Sequence, residues 1–384
     1  LKMNKKLVNE VKNVFLNQFK MNPILVFSPG RINLIGEHTD YNEGFVFPAA
    51  INKGIIAGIQ KSSSTFCKAI ALNKSDSYEF KLNNLKALKN GGWKNYVLGV
   101  VSEILKLDLK LGNFNLVFSG NIPEGSGMSS SAALENSIVF GLNEVFKLGL
   151  SKSKMIIISQ KAEHNFVRVM CGIMDQYSSM FGEKKSALLL DCRKINSISF
   201  KIDFSDYKLI LVNTNVKHQL SESAYNNRRA VCENISKLLK IRALRDATEN
   251  DLNKLIKKIS DEDYKKALYV IQENNRVKET VKAINAKNLK KIGLLLYLSH
   301  EGLKNLYKVS CDELDFLVDQ TIDNPYILGA RMMGGGFGGC TINLIKKSEV
   351  KNFKKETLES YSKQFNINCS FYSVKLSKGT RLIK

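Results

Sequence analysis

Glu37, His38 and Asp40 crowd into the stretch "GEHTD", directly behind the apolar residues Ile32, Leu34 and Ile35. Two carboxylates and an imidazole so close together are costly to bury and dense for a surface turn. They form an array of hydrogen-bonding groups that could hold a polar partner, although a plain polar turn would look the same. A second stretch, "IPEGSGMSSSAALE" (122–135), suits an anion. Gly125 and Gly127 let backbone N–H groups converge, and the helix that follows offers its positive end. Ser126, Ser129, Ser130 and Ser131 add hydroxyls, one of them a possible Mg²⁺ ligand. Gly125 is followed by Ser126 where a Walker A loop requires Lys and Ser/Thr, so that loop is excluded. A serine-capped helix after a flexible turn remains the plainer alternative.

"GGGFGG" (334–339) matches GxGxxG at Gly334, Gly336 and Gly339, yet "CTINLI" behind it has strand character. A dinucleotide fold needs a helix there. The segment is either backbone packed closely on something or a sharp hairpin. Protein-kinase catalytic-loop and DFG signatures are absent, as are GxSxG and HExxH. Arg31 sits after Pro-Gly and before an apolar run, an unusual place for a surface ion pair. Asp175 could cap a helix beginning at Gln176. His164 reads as part of a solvated helix face, and Cys171 as an inert lining residue.

These groups need elements to position them. "ILVFSPG" (24–30), "FVFPAAINKGIIAGIQ" (45–60) and "FNLVFSG" (114–120) read as strands. The apolar run between Arg31 and Glu37 reads as a short strand holding the two in register. Leu134, Ile138, Leu142 and Phe146 predict a helix begun by serine. Met155, Ile158, Ala162, Phe166 and Val169 predict another, opened by Ser151 and closed near Gly172. "SALLLDC" and "KLILVNTNV" return to strand character, and a lysine-rich helical region follows over 222–320. "CSFYSVKLS" (369–377) reads as the last strand. The class is α+β with two domains, residues 1–203 and 204–384.

The chain has 58 Lys+Arg against 36 Asp+Glu, a formal charge of +22. Dense stretches such as "KKSEVKNFKK" (346–355) mix lysine with acids, as solvated helix faces do. No basic cluster is interleaved with aromatics, so a nucleic-acid partner is not expected. Seven cysteines at long intervals, without CxxC or Cys/His metal spacing, suit reduced thiols in a soluble cytoplasmic protein. No apolar run approaches the ~18 residues of a membrane span.

"SPGRINLIGEHTDYNEGFVFP", "IPEGSGMSSSAALE", "CGIMDQY" and "MMGGGFGGCTINL", in this order, closely resemble galactokinases of the GHMP small-molecule kinase family. The likeness extends to "GGWKNYVLGV" (91–100) and "NTNVKHQLSESAYNNRR" (213–229). It implies an N-terminal domain of ribosomal-protein-S5-like topology, a C-terminal α/β domain and a cleft between them. It implies transfer of the ATP γ-phosphoryl group to the C1 hydroxyl of α-D-galactose, with Mg²⁺ accompanying ATP. By the same likeness Arg31 and Asp175 are the catalytic pair. Glu37, His38, Asp40, Gly172, Asp175 and Tyr225 are sugar ligands. Gly125, Ser126, Gly127, Met128, Ser129, Ser130 and Ser131 wrap the ATP phosphates, and Ser131 and Glu163 hold the metal. A monomer or weak dimer is expected. A catalytically silent sugar sensor would lose part of the serine loop, which is intact here, and "CGIMDQ" has the galactose rather than the N-acetylgalactosamine form.

Overall fold

The computed structural model describes residues 5–217 and 221–383, so part of the 213–229 segment lies outside the described residues. In chain order the first elements are α1 (Lys5–Phe19), β1 (Ile24–Asn33), β2 (Phe45–Val46), β3 (Pro48–Lys61), β4 (Cys67–Ala71), β5 (Asp76–Phe80), α2 (Trp93–Leu105) and β6 (Phe114–Gly120). Next come α3 (Ser130–Phe146), α4 (Lys152–Ala162), α5 (Met174–Phe181), β7 (Ser186–Asp191) and β8 (Asn196–Lys201). The remainder is β9 (Tyr207–Lys217), α6 (Ser221–Leu238), α7 (Glu249–Asn253), α8 (Asp261–Asn285), α9 (Leu289–Glu301), α10 (Asp312–Ile322), β10 (Ile327–Met333), β11 (Gly338–Lys346), α11 (Val350–Phe365), β12 (Ser370–Ser373) and β13 (Arg381–Leu382).

A six-stranded sheet runs β13-β1-β3-β6-β4-β5, beside a three-stranded sheet β2-β7-β8 and a four-stranded sheet β10-β11-β9-β12. This is the mixed helix and strand class expected. Leu7, Val11 and Phe15 of α1 cover one face of the large sheet through Phe27, Ile56 and Val117. Helices α3 and α5 lie against β1 and β3 as well. Strand β1 is therefore covered on both faces, which explains its continuous apolar run in place of an alternating one.

Several boundaries differ from expectation, each for a local reason. The 45–60 strand breaks at Phe47, whose N–H and C=O turn aside to bond Ile35 and Leu34. Strand β1 ends at Asn33, and the residues up to Glu37 are a bend with Gly36 at φ 100°, not a strand. The helix begun by Ser151, whose hydroxyl caps Lys154 N–H, widens into one π turn (Glu163–Val167). It stops at Arg168 in the left-handed region, short of Gly172. The strand β12 is not the last: residues 381–382 return to pair with β1 at Val26 and Phe27.

Candidate active site

The strand β1 carries Arg31 to a bulge. Its pairing with β3 slips between Pro29 and Arg31, and Arg31 N–H instead bonds Met128 C=O at 3.1 Å. Bulges re-aim side chains, and here the buried guanidinium meets Asp175 in a fork, Nε–Oδ1 2.8 Å and Nη2–Oδ2 2.9 Å. Burial opposes the Arg31 charge, but Asp175, Glu37 and Asp40 outweigh it and raise the pKa. Asp175 lies in the first turn of α5 and caps nothing: its carboxylate is taken by Arg31 and by the Ser129 hydroxyl.

The glycine–serine loop reaches the same point from the other side. Ser129 precedes α3 with φ 57° and ψ 58°, a left-handed conformation that turns its hydroxyl away from the helix and toward Asp175. Arg31 Nη1 donates to Gly127 C=O, and the Met128 side chain is buried in the core. The Ser126 hydroxyl bonds Pro123 C=O at 2.6 Å, so Ser126 can offer an anion only its backbone N–H. Gly125 and Ser130 are exposed. The second glycine segment answers to both readings made of it. It is the β10–β11 hairpin, and it packs on the first loop so closely that a Cβ on Gly127 would stand 3.0 Å from Met333 O.

Ser131 and Glu163 are brought together at the head of α3. Glu163 accepts hydrogen bonds from Ser131 and Cys171, yet burial raises its pKa. A buried carboxylate beside a hydroxyl, with no basic side chain bonded to it, is a donor set suited to a hard cation whose other ligands are phosphate and water. Among the described residues no group of three His, Cys, Asp or Glu side chains forms a self-sufficient metal site. Glu135, one helical turn after Ser131, was not anticipated. It is wholly buried, and burial together with Glu163 drives its pKa far up. The four-residue spacing from Ser131 was the available signal. His164 is half-buried and its Nε2 lies 2.8 Å from Cys171 O, so the solvated-face reading of it is corrected.

The acidic loop closes the site. Glu37 is 2 % exposed, and its Oε1 accepts from Gly334 N–H at 2.8 Å and from Arg331 Nη2 at 3.1 Å. His38 adopts φ 61° and is boxed by Tyr41, Tyr225 and Tyr307, with Nδ1 2.8 Å from the Tyr41 hydroxyl. Burial, aided by Arg228 and Arg331, lowers its pKa to about 3, so the ring is neutral. Asp40 is pushed up to about 7, first by burial and then by the charge of Asp175. Gly172 lies so near that any Cβ there would overlap Asp40 Oδ2. Tyr225, whose local sequence offered little, also faces Gly335 and feels the charges of Asp40 and Asp175. Arg31, the acidic loop and the glycine–serine loop thus converge around Asp175. Arg331, Tyr41 and Tyr307 were missed; an arginine inside the apolar strand before a glycine run was the one usable sign.

Three family models match in order: the galactokinase galactose-binding signature over residues 13–61, the GHMP kinases N terminal domain over 95–183 and the GHMP kinases C terminal over 280–363. The galactokinase of Clostridium tetani is 39% identical, covering 97% of each chain. That of Thermosipho africanus is 41% identical over 94% of this chain and 99% of its own. The crystal structure of Lactococcus lactis galactokinase complexed with galactose superposes with a TM-score of 0.94 at 34% identity, covering 98% of this chain and all of that one. Methanococcus jannaschii mevalonate kinase, 18% identical with a TM-score of 0.65, shares the fold. Likeness at this level over nearly the whole length, with the three signatures in order along one chain, makes the protein a kinase that belongs to the galactokinase family of the GHMP kinases.

Proposed function

We propose that this enzyme transfers the γ-phosphoryl group of ATP to the C1 hydroxyl of α-D-galactose, yielding galactose 1-phosphate and ADP as the first committed step of galactose use. The observation that carries this reading is the forked Arg31–Asp175 pair, touched on one side by the glycine–serine loop and flanked on the other by the acidic loop. Phosphoryl transfer needs alignment and charge neutralisation more than covalent help. Asp175 orients the C1 hydroxyl and takes up its proton as the oxygen–phosphorus bond forms, while the bond from the γ-phosphorus to the ADP oxygen breaks. Arg31 holds the Asp175 carboxylate in its fork and stabilises charge on the transferring oxygens.

Glu37, His38, Asp40, Gly172 and Tyr225 form the sugar pocket. His38 is uncharged in it and serves through hydrogen bonding alone. The backbone of residues 125–131, with the hydroxyls of Ser130 and Ser131, wraps the phosphates, while the Ser129 hydroxyl is held by Asp175. Ser131 and Glu163 would hold Mg²⁺, which when bound would supply neutralising charge for the phosphate oxygens. The division at 203/204 belongs to the same reading, with residues 381–382 rejoining the first domain. So does a cytoplasmic monomer or weak dimer with neither nucleic acid nor membrane as partner. None of the seven cysteines forms a disulfide, which is in keeping with that location.

The test is ADP release from ATP and Mg²⁺ with galactose, glucose, N-acetylgalactosamine and mevalonate offered separately. Turnover confined to galactose is expected. Folded protein inert toward galactose would end this reading, and a preference for N-acetylgalactosamine would redirect it.

A further inference from the structure

Arg331 is wholly buried and stands outside every role described so far. It lies in β10, two residues before the hairpin, where the strand pattern would place an apolar side chain. Its guanidinium donates Nε to Leu34 C=O at 2.8 Å, Nη1 to Met332 C=O at 2.7 Å, and Nη2 to both Asn33 C=O and Glu37 Oε1. One planar fork therefore joins the end of β1, the bend behind it and the first carboxylate of the acidic loop. Gly334 N–H takes the remaining approach to the same Oε1. Oε1 is thus engaged twice, and Oε2 is the oxygen that neither Arg331 nor Gly334 holds.

We propose that Arg331 is the specificity-setting positioning residue of the sugar pocket, acting through Glu37 by turning a freely rotating carboxylate into a single acceptor of fixed direction. This rests on the galactose reading above. A free carboxylate rotates to meet any nearby hydroxyl, whereas a clamped one rejects a hydroxyl in the wrong place. Lysine cannot substitute, because a point charge with three rotating donors does not reproduce the fork.

The experiment compares wild type, Arg331→Lys and Glu37→Gln in steady-state kinetics with galactose and with its 2-, 3-, 4- and 6-deoxy forms, alongside thermal unfolding. Wild-type turnover of galactose is checked first, so that failure of the functional reading is recognised separately. In folded Arg331→Lys the galactose KM should rise at least tenfold, with kcat at saturating sugar within threefold and ATP KM within twofold. That penalty should vanish for one deoxy sugar only, the same sugar for which Glu37→Gln is harmless. A merely structural role would penalise every sugar, and ATP, alike. An equal penalty across the deoxy series, or an unchanged galactose KM, overturns the proposal. Should the lysine variant not fold, Arg331→Gln is read in the same way. If neither folds, Arg331 is a folding residue and the proposal fails.

Discussion

The acidic loop and the glycine–serine loop flank one carboxylate, yet they are held in opposite ways. Residues 33–45 are fastened by side chains from the second half of the chain. Glu273 accepts from Gly36 N–H at 2.9 Å, the Tyr269 hydroxyl donates to Glu37 C=O at 3.0 Å, and Asn274 accepts from Phe45 N–H at 2.8 Å. At the solvent end Arg193 and Arg242 grip Glu43. Residues 123–131 have few such ties: Gly125 is exposed with no atom within contact of a Cβ, and the fixed points include Gly127 C=O, Met128 with its C=O bonded to Arg31 N–H and its side chain buried, and the Ser129 hydroxyl. The difference follows from what each loop would bind. Sugar hydroxyls are told apart by direction, so their acceptors must be set before binding. Phosphate spreads its charge over several oxygens and is met by converging N–H groups, which a glycine loop supplies by settling around it.

Removing the point where the loops meet should have the largest effect. Asp175→Asn should lower kcat about 10³-fold while the ATP affinity, measured by titration calorimetry, stays near wild type; a wild-type rate would show that the two loops need no common carboxylate. Next, Glu37→Ala strips the carboxylate from a wholly buried guanidinium. Thermal and urea unfolding should show a loss of about 3–5 kcal/mol, and the galactose KM should rise about a hundredfold with the ATP KM little changed. An unchanged galactose KM would remove Glu37 from the pocket.

The pH dependence should also separate the loops. Asp40 titrates near 7 in the empty protein, above the ordinary 3.8, because burial and Asp175 disfavour its charge. The protonated form is then favoured below 7, and a sugar that binds the ionised form must displace a proton. Galactose KM should therefore rise about tenfold from pH 8 to pH 6, an effect that Asp40→Asn abolishes. The sign for folding runs the other way: this carboxyl favours the folded state at low pH and costs stability as pH rises from about 4 to 7. Galactose should accordingly raise the melting temperature more at pH 8 than at pH 6. An effect of comparable size, confined to the other loop, is expected from Gly125→Ala. At φ +67° a side chain costs about 1–2 kcal/mol, with no crowding added. That predicts roughly a five- to thirtyfold rise in ATP KM with galactose KM unchanged.

What the chain discloses before folding follows the same division. The β6 strand and the α3 helix match their patterns at both ends or nearly so, because each is a buried element bounded by clear turn or cap residues. Arg31, Glu37 and the serines were legible as unusual residues in unusual places, whereas Asp175 read locally as a helix cap and gained its role only through the family resemblance. The strand read between Arg31 and Glu37 holds for Ile32 and Asn33, which pair with β3, and fails at Leu34 and Ile35, whose backbone turns to bond Phe47 in a bend. Arg331 gave one sign, its place in an apolar strand before a glycine run, and no clue to its partners. One arginine in a basic chain resembles any other until the carbonyls it serves, some 300 residues earlier, are brought to it. Tertiary pairing of backbone groups leaves no periodic trace.

Residues 376–383 bear on how such a molecule is made. The Thr380 hydroxyl meets Ser28 of β1 at 2.9 Å, and its N–H and hydroxyl both bond Ser179 C=O in α5. These are the two elements that carry Arg31 and Asp175. During synthesis the segment that laces them together leaves the ribosome after everything it binds, so the nascent first half waits with an open sheet edge at Val26 and Phe27. The two elements that carry the reactive pair are thus joined by a residue made some 350 positions after one and 200 after the other.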